Sequence, residues 1–235
     1  MAETTTLLGM ILPGTSDPAD ITQINGNFTK VEEYLQTYVA STGLGKSAKS
    51  IDSLDNAKIF GLYSSNVGVP DITGKVYWTC LVLPMNSTQT IVQIAYQGTY
   101  DPLRLAIRRM TSGVWGEWEY PNPPMGAGVE YRTIERYGGK AVYKKRIVYV
   151  SGNGTNPEIT DAGTVKTISI AHGISGFGEL VSISGHMGTY ALPVMDSNGY
   201  LTLANSVTSA NINLRTNGVW TGERTWSFDL AYTKA

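Results

Sequence analysis

Val76-Tyr77-Trp78-Thr79-Cys80-Leu81-Val82-Leu83 alternates with a period of two. Val76, Trp78, Cys80 and Val82 fall on one side, and Tyr77, Thr79, Leu81 and Leu83 on the other. So apolar an alternation predicts a β-strand buried on both faces. Pro84-Met85-Asn86-Ser87 ends it with turn residues. Val92, Ile94 and Tyr96 then alternate with Gln93, Ala95 and Gln97. After Gln97-Gly98-Thr99, Leu103, Leu105 and Ile107 alternate with Arg104, Ala106 and Arg108. Strands separated by turn clusters predict a small antiparallel module, about 65 residues long. Cys80 lies in its most apolar strand and is expected to behave as a buried hydrophobe.

Downstream, Pro121-Asn122-Pro123-Pro124-Met125-Gly126-Ala127-Gly128 reads as a stiff, then flexible boundary. Beyond it, residues 129–136 and 141–150 flank Tyr137-Gly138-Gly139-Lys140, a strong hairpin signal. Further alternating runs follow at 167–171, 180–184, 211–215 and 225–232. Short strands at roughly 8–15-residue spacing predict a β-sandwich or jelly-roll-like domain.

Upstream the period changes. Asp17-Pro18-Ala19-Asp20 offers a helix N-cap and an early proline. Ile21, Ile24, Phe28, Val31, Leu35 and Tyr38 follow in a heptad register, with Thr, Gln, Asn, Lys and Glu between them. A lone helix of this length is marginal in water, and Gly26 costs it about 1 kcal/mol more. Burying six apolar side chains returns on the order of 10 kcal/mol gross per chain. Either the chain's own β domain covers the stripe or another copy does. The narrow seam favours a coiled coil, and isoleucine at both early core positions favours three strands. Residues 41–50 read as a Gly/Ser linker. Gly45-Lys46-Ser47 within it lacks the upstream glycine and preceding strand of a phosphate loop. The predicted organisation is an attachment arm and trimerising helix at 1–50, a β module at 51–122 and a β-sandwich at 125–235.

Composition narrows the function. Charged residues are 16% of 235 and the net charge is -1, without a basic block, so no nucleic-acid partner is expected. No apolar run reaches membrane-spanning length. The first twelve residues lack the positive start of a secretion signal, so synthesis in the cytoplasm without export is expected. One cysteine excludes an internal disulfide framework. His172 and His186 have no second ligand at zinc-like spacing, so no metal or cofactor is expected. They read as surface histidines in Gly/Ser-rich turns. No nucleophile elbow is present. Glu117 and Glu119 share a strand face, as paired carboxylates of a glycosidase would, but read as a solvated strand edge. The chain is therefore not expected to be an enzyme.

Gly61-Leu62-Tyr63-Ser64-Ser65-Asn66, Gln93-Ile94-Ala95-Tyr96-Gln97 and Arg108-Arg109-Met110-Thr111-Ser112-Gly113-Val114-Trp115-Gly116-Glu117-Trp118 resemble the pyocin-knob module. That module recurs in tail-fibre proteins of bacteriophages and phage-like bacteriocins. Residues 129–133, 171–174 and 230–234 resemble terminal domains of phage tail receptor-binding proteins. The resemblance implies a homotrimeric virion fibre, docked on baseplate or tail proteins through its N-terminus, that binds a bacterial surface polysaccharide. A polysaccharide-degrading tail spike and a structural adaptor are the alternatives. Sugar rings stack on aromatics and bond to Asn, Asp and Arg, which makes Tyr190, Asp196, Tyr200, Arg215, Asn217 and Trp220 the candidate glycan residues. Trp115 and Trp118 form a second-choice surface; their odd spacing need not place both on one face.

Overall fold

The computed structural model describes residues 3–4, 11–12, 21–44, 47–69, 77–87, 89–97, 104–156, 158, 165–196, 199–217 and 219–235. The chain is mostly β, with one α-helix among the described residues. It divides into two compact units. Met1–Gly98 and Arg108–Gly116 form the first, and Thr99–Ile107 and Glu117–Ala235 the second.

The first unit begins with the paired strands β1 (Glu3–Thr4) and β2 (Ile11–Leu12), followed by α1 (Ile21–Thr42). Then come β3 (Lys49–Ser50), a 3-10 turn at Leu54–Asn56, β4 (Gly61–Ser65), β5 (Trp78–Ser87), β6 (Thr90–Gln97), β7 (Arg104–Thr111) and β8 (Val114–Trp115). Strands β3 to β8 lie side by side in chain order, with β3 parallel to β4. Residues Arg104–Ile107 of β7 fall in the second unit by contact, and the remainder of β7 in the first.

Helix α1 is where the heptad pattern predicts it, and it stops at a glycine. Gly43 has φ +68, in the left-handed region, and its N–H donates to the Val39 carbonyl at 2.9 Å. A Cβ there would stand 2.0 Å from the Leu62 carbonyl oxygen. A Cβ on Gly61 would stand 2.3 Å from the Thr42 carbonyl oxygen. The helix end and β4 therefore meet backbone against backbone, which no other residue type permits at these positions. Along the seam, Ile24, Leu35 and Tyr38 are exposed, Phe28 is 70% exposed and Val31 is half-buried. Among the described residues, nothing covers Ile24, Phe28, Leu35 and Tyr38. The Ile21 side chain lies outside the described residues.

The β5–β6 pairing sets Cys80 opposite Ala95 and Val82 opposite Gln93. Trp78, Cys80 and Val82 are buried as expected, but Thr79, Leu81 and Leu83 on the other face are only half-buried. This strand is buried on one face, not both. A larger difference lies in β6 and β7. Ile91, Gln93, Ala95 and Gln97 take the buried side of β6, while Tyr96 is exposed. Ala106, Arg108 and Met110 take the buried side of β7, and Leu105 and Ile107 the half-buried one.

In the second unit, β9 (Glu130–Tyr137) and β10 (Lys140–Ser151) form the hairpin that Gly138-Gly139 predicts. Both glycines have positive φ, 55 and 77, as a two-residue type I′ turn requires. There follow β11 (Lys166–Ala171), β12 (Phe177–Met187), β13 (Tyr190–Ala191), β14 (Val194–Asp196), β15 (Gly199–Val207), β16 (Asn211–Thr216) and β17 (Arg224–Lys234). They form two antiparallel sheets, ordered β13-β12-β17-β10-β9 and β11-β16-β15-β14. Trp226, Phe228, Leu230 and Tyr232 alternate inward along β17 and join Ile170, Ile212 and Leu214 of the other sheet in one core. The Trp226 N–H, which burial would otherwise orphan, donates to Ser151 Oγ at 3.0 Å.

Candidate functional site

The expected glycan residues whose side chains are described fall on different strands and at different depths. Trp220 is only 3% exposed; its indole N–H donates to Thr216 Oγ1 at 3.2 Å and its ring meets Trp226 edge-on. It is a core residue with no free face for a sugar, which corrects its reading as a stacking platform. Tyr190 is exposed on β13, Arg215 is exposed on β16 and Asn217 is half-buried. Tyr190 and Arg215 therefore sit on different sheets. The side chains of Asp196 and Tyr200 lie outside the described residues. The Trp115/Trp118 pair is also split: Trp115 is half-buried in the first unit, and Trp118 is buried in the second.

The histidine reading needs correction as well. His172 is 2% exposed, not a surface residue. Its Nδ1 accepts from the Ile174 N–H and its Nε2 lies 3.1 Å from the Thr208 carbonyl, so the ring ties a turn to a neighbouring loop. His186 is exposed but lies within β12, not in a turn.

The carboxylates singled out from sequence are engaged by cations. Glu119 Oε1 accepts from Arg132 Nε at 2.9 Å and from Arg136 at 2.6 Å. Glu117 Oε2 accepts from Arg132 at 2.9 Å. A second network joins Glu130 to the Tyr232 hydroxyl and the Lys234 ammonium, with Lys234 over the Tyr143 ring. Burial, and then the Glu130 carboxylate, push the Tyr232 phenol up from its usual range. Tyr232 stacks on Tyr143 and on Phe177, and His172 lies against Phe177.

The polar centre of the first unit is one that alternation alone does not reveal. The buried Arg108 donates from Nε to Gln93 Oε1 at 2.8 Å and pairs with Asp55 at 2.7 Å. Its guanidinium lies 4.1 Å from the Trp115 ring centroid. Gln93 Nε2 donates to the Leu54 and Ala57 carbonyls at 2.7 and 2.9 Å, and the Trp115 N–H to the Asp55 carbonyl at 3.1 Å. The 3-10 turn is thus latched onto the sheet by side chains that replace its missing backbone partners. Arg108 closes the Arg…Ser-Gly-x-Trp stretch by this packing; the signal in the sequence is glutamine at alternate positions of an otherwise apolar strand.

Burial pushes the neighbouring Cys80 thiol up to about 12, against a smaller downward pull from Arg108. Between the ordinary thiol range, near pH 8.5, and about 12, the folded chain keeps a proton that the unfolded chain has lost, so stability falls as pH rises through that window. Cys80 in the native protein is therefore expected to resist a disulfide-exchange reagent at pH 8 and to react fully in denaturant. Rapid native labelling, followed by absorbance, would contradict this.

No protein-family model and no curated protein matches the sequence. Among solved structures, the chain aligns with a C-terminal fragment of the R1 pyocin fibre of P. aeruginosa at 8% identity and TM-score 0.27, covering 82% of this chain and 69% of that one. It aligns with an N-truncated R2-type pyocin tail fibre at 11% identity and TM-score 0.26, covering 79% of this chain and 98% of that one. A P. aeruginosa R2 pyocin fibre fragment gives 11% and 0.26, over 79% and 67% of the two chains. At these TM-scores the alignments do not define a common fold.

Proposed function

We propose that the chain is a homotrimeric tail-fibre or receptor-binding protein of a phage or phage-like particle. Residues 1–50 attach it to a baseplate or tail and hold three copies together, and the β units carry it to a bacterial surface glycan. The observation that carries this reading is the seam of α1. Ile24, Phe28, Leu35 and Tyr38 stand exposed along one register, and a second and third copy supply the cover that water-exposed heptads require. The sequence resemblance supports the tail-fibre assignment. Three linked copies raise avidity for a weak sugar ligand by about 10²–10⁴. The ion-paired state of Glu117 and Glu119 favours binding over glycan hydrolysis.

Light scattering of the full chain at micromolar concentration is expected to give about three times 25.4 kDa. A monomer would end the trimer reading. Labelled protein is expected to bind susceptible cells and to release no oligosaccharide from their capsule. Released sugar would make the chain a degrading spike, and absence of cell binding would make it an adaptor.

A further inference from the structure

A groove of about 270 Å³ lies in the second unit, on the sheet face opposite the core. Its floor is set by strand register. Ser184, Asp229 and Arg146 face one another across β12, β17 and β10, and Ser182, Ala231 and Lys144 form the next rung. The small Ala231 at the middle of the second rung leaves the depression. Asn122, Pro123 and Met125 form a wall beside it. The chain just after this wall is tied to the sheet: Gly128 N–H donates to the Arg146 carbonyl at 2.8 Å, and Val129 N–H to the Gly126 carbonyl. Met125 is held at φ 52, a left-handed conformation rare for a non-glycine residue and often retained where a site demands it.

The charges around the groove are already satisfied within the protein. Arg146 grips both Asp229 carboxylate oxygens at 2.7 Å, and the Lys144 ammonium is held by Glu135 at 2.5 Å. Among the groove-lining residues, Ser182, Ser184 and Asn122 are exposed and present two hydroxyls and an amide to the groove. Two hydroxyls and an amide facing a proline and a thioether match an uncharged sugar ring, which presents hydroxyls on its edge and C–H groups on its face. An anionic ligand would lie against Asp229 and a cationic one against Lys144 and Arg146. The volume is just below the roughly 300–1,000 Å³ of drug-sized sites and suits one or two sugar units.

We infer that this groove is a neutral-saccharide subsite, a reading that rests on the proposed glycan attachment and locates it. The test uses the full chain and saturation-transfer NMR with the methyl glycosides of glucose, galactose, rhamnose and N-acetylglucosamine. At least one is expected to bind, and sialic acid is not. Ser182→Trp, which fills the groove from an exposed strand position, is expected to weaken that binding at least tenfold. Asn122→Ala, which removes one hydrogen-bonding group, is expected to weaken it by about three- to tenfold. Circular dichroism and the melting temperature should not change in either variant. Glycoside binding unaltered in both variants overturns the subsite and leaves glycan attachment standing. Cell binding by a protein that binds none of the four glycosides does the same. Failure to bind either glycosides or cells overturns both readings.

Discussion

Replacing Arg108 with alanine is expected to cost the first unit about 2–4 kcal/mol: the guanidinium is buried while Asp55 is exposed, so the loss is that of an unsatisfied interior amide and of the packing of the arginine stem, not of a fully buried ion pair. Three losses coincide. Gln93 Oε1 is left in the interior without its donor, Asp55 loses its cation, and the Trp115 ring loses the guanidinium above it. For a unit of this size each kcal/mol moves the melting midpoint by roughly 4–8 °C, so the drop should be at least about 8 °C. Calorimetry should show the loss in one transition, with the unfolding of the second unit in place. Arg108→Met restores most of the packing volume but neither hydrogen bond nor charge, so it should recover only part of the loss. A shift under about 1 kcal/mol for Arg108→Ala would mean that the network is dispensable and that the apolar side of the sheet carries the unit.

Ile24→Asp combined with Val31→Asp should dissolve the helical seam. Two unpaired charges per chain, repeated in each copy, cost several kcal/mol apiece when buried. A helix freed from its partners is marginal on its own. Light scattering should therefore register a lower or broader mass, and far-UV circular dichroism should lose the helical contribution of residues 21–42. The melting of the second unit should stay where it was. Unchanged mass together with unchanged helicity would show that the seam is not an interface. Unchanged mass with lost helicity would place association in the second unit.

Much of the architecture could be read from residue spacing. The heptads mark α1 to within a turn of its end, because one helical face is apolar and its neighbours are not. Gly138-Gly139 marks the β9–β10 turn because only glycine accepts two successive positive φ values cheaply. The faces of β6 and β7 were not legible, since alternation tells which residues share a side but not which side is inward. Gln93 and Arg108 went inward because distant carbonyls and a carboxylate satisfy them, and those partners lie up to 53 residues away in sequence. Trp220 and His172 misled for the same reason. Their flanking glycines and asparagines describe a loop, yet the side chains point into the core and find acceptors there. The groove over Ala231 was invisible because it is built from three strands and a proline-rich segment with no common motif.

The joint at Gly43 and Gly61 has a mechanical consequence. A linker of the usual Gly/Ser kind lets a stalk swivel, so that tension applied at one end is spent on reorientation. Here the last carbonyl of α1 and the Leu62 carbonyl lie so close to the opposite glycine that rotation of the helix about its end drives backbone into backbone. Pull or torque on the helix passes straight into β4 and, through its ladder with β5, into the whole first sheet. The connection acts as a weld instead of a universal joint, and a load borne by residues 21–42 is felt by the β structure as shear along its hydrogen-bonded strands.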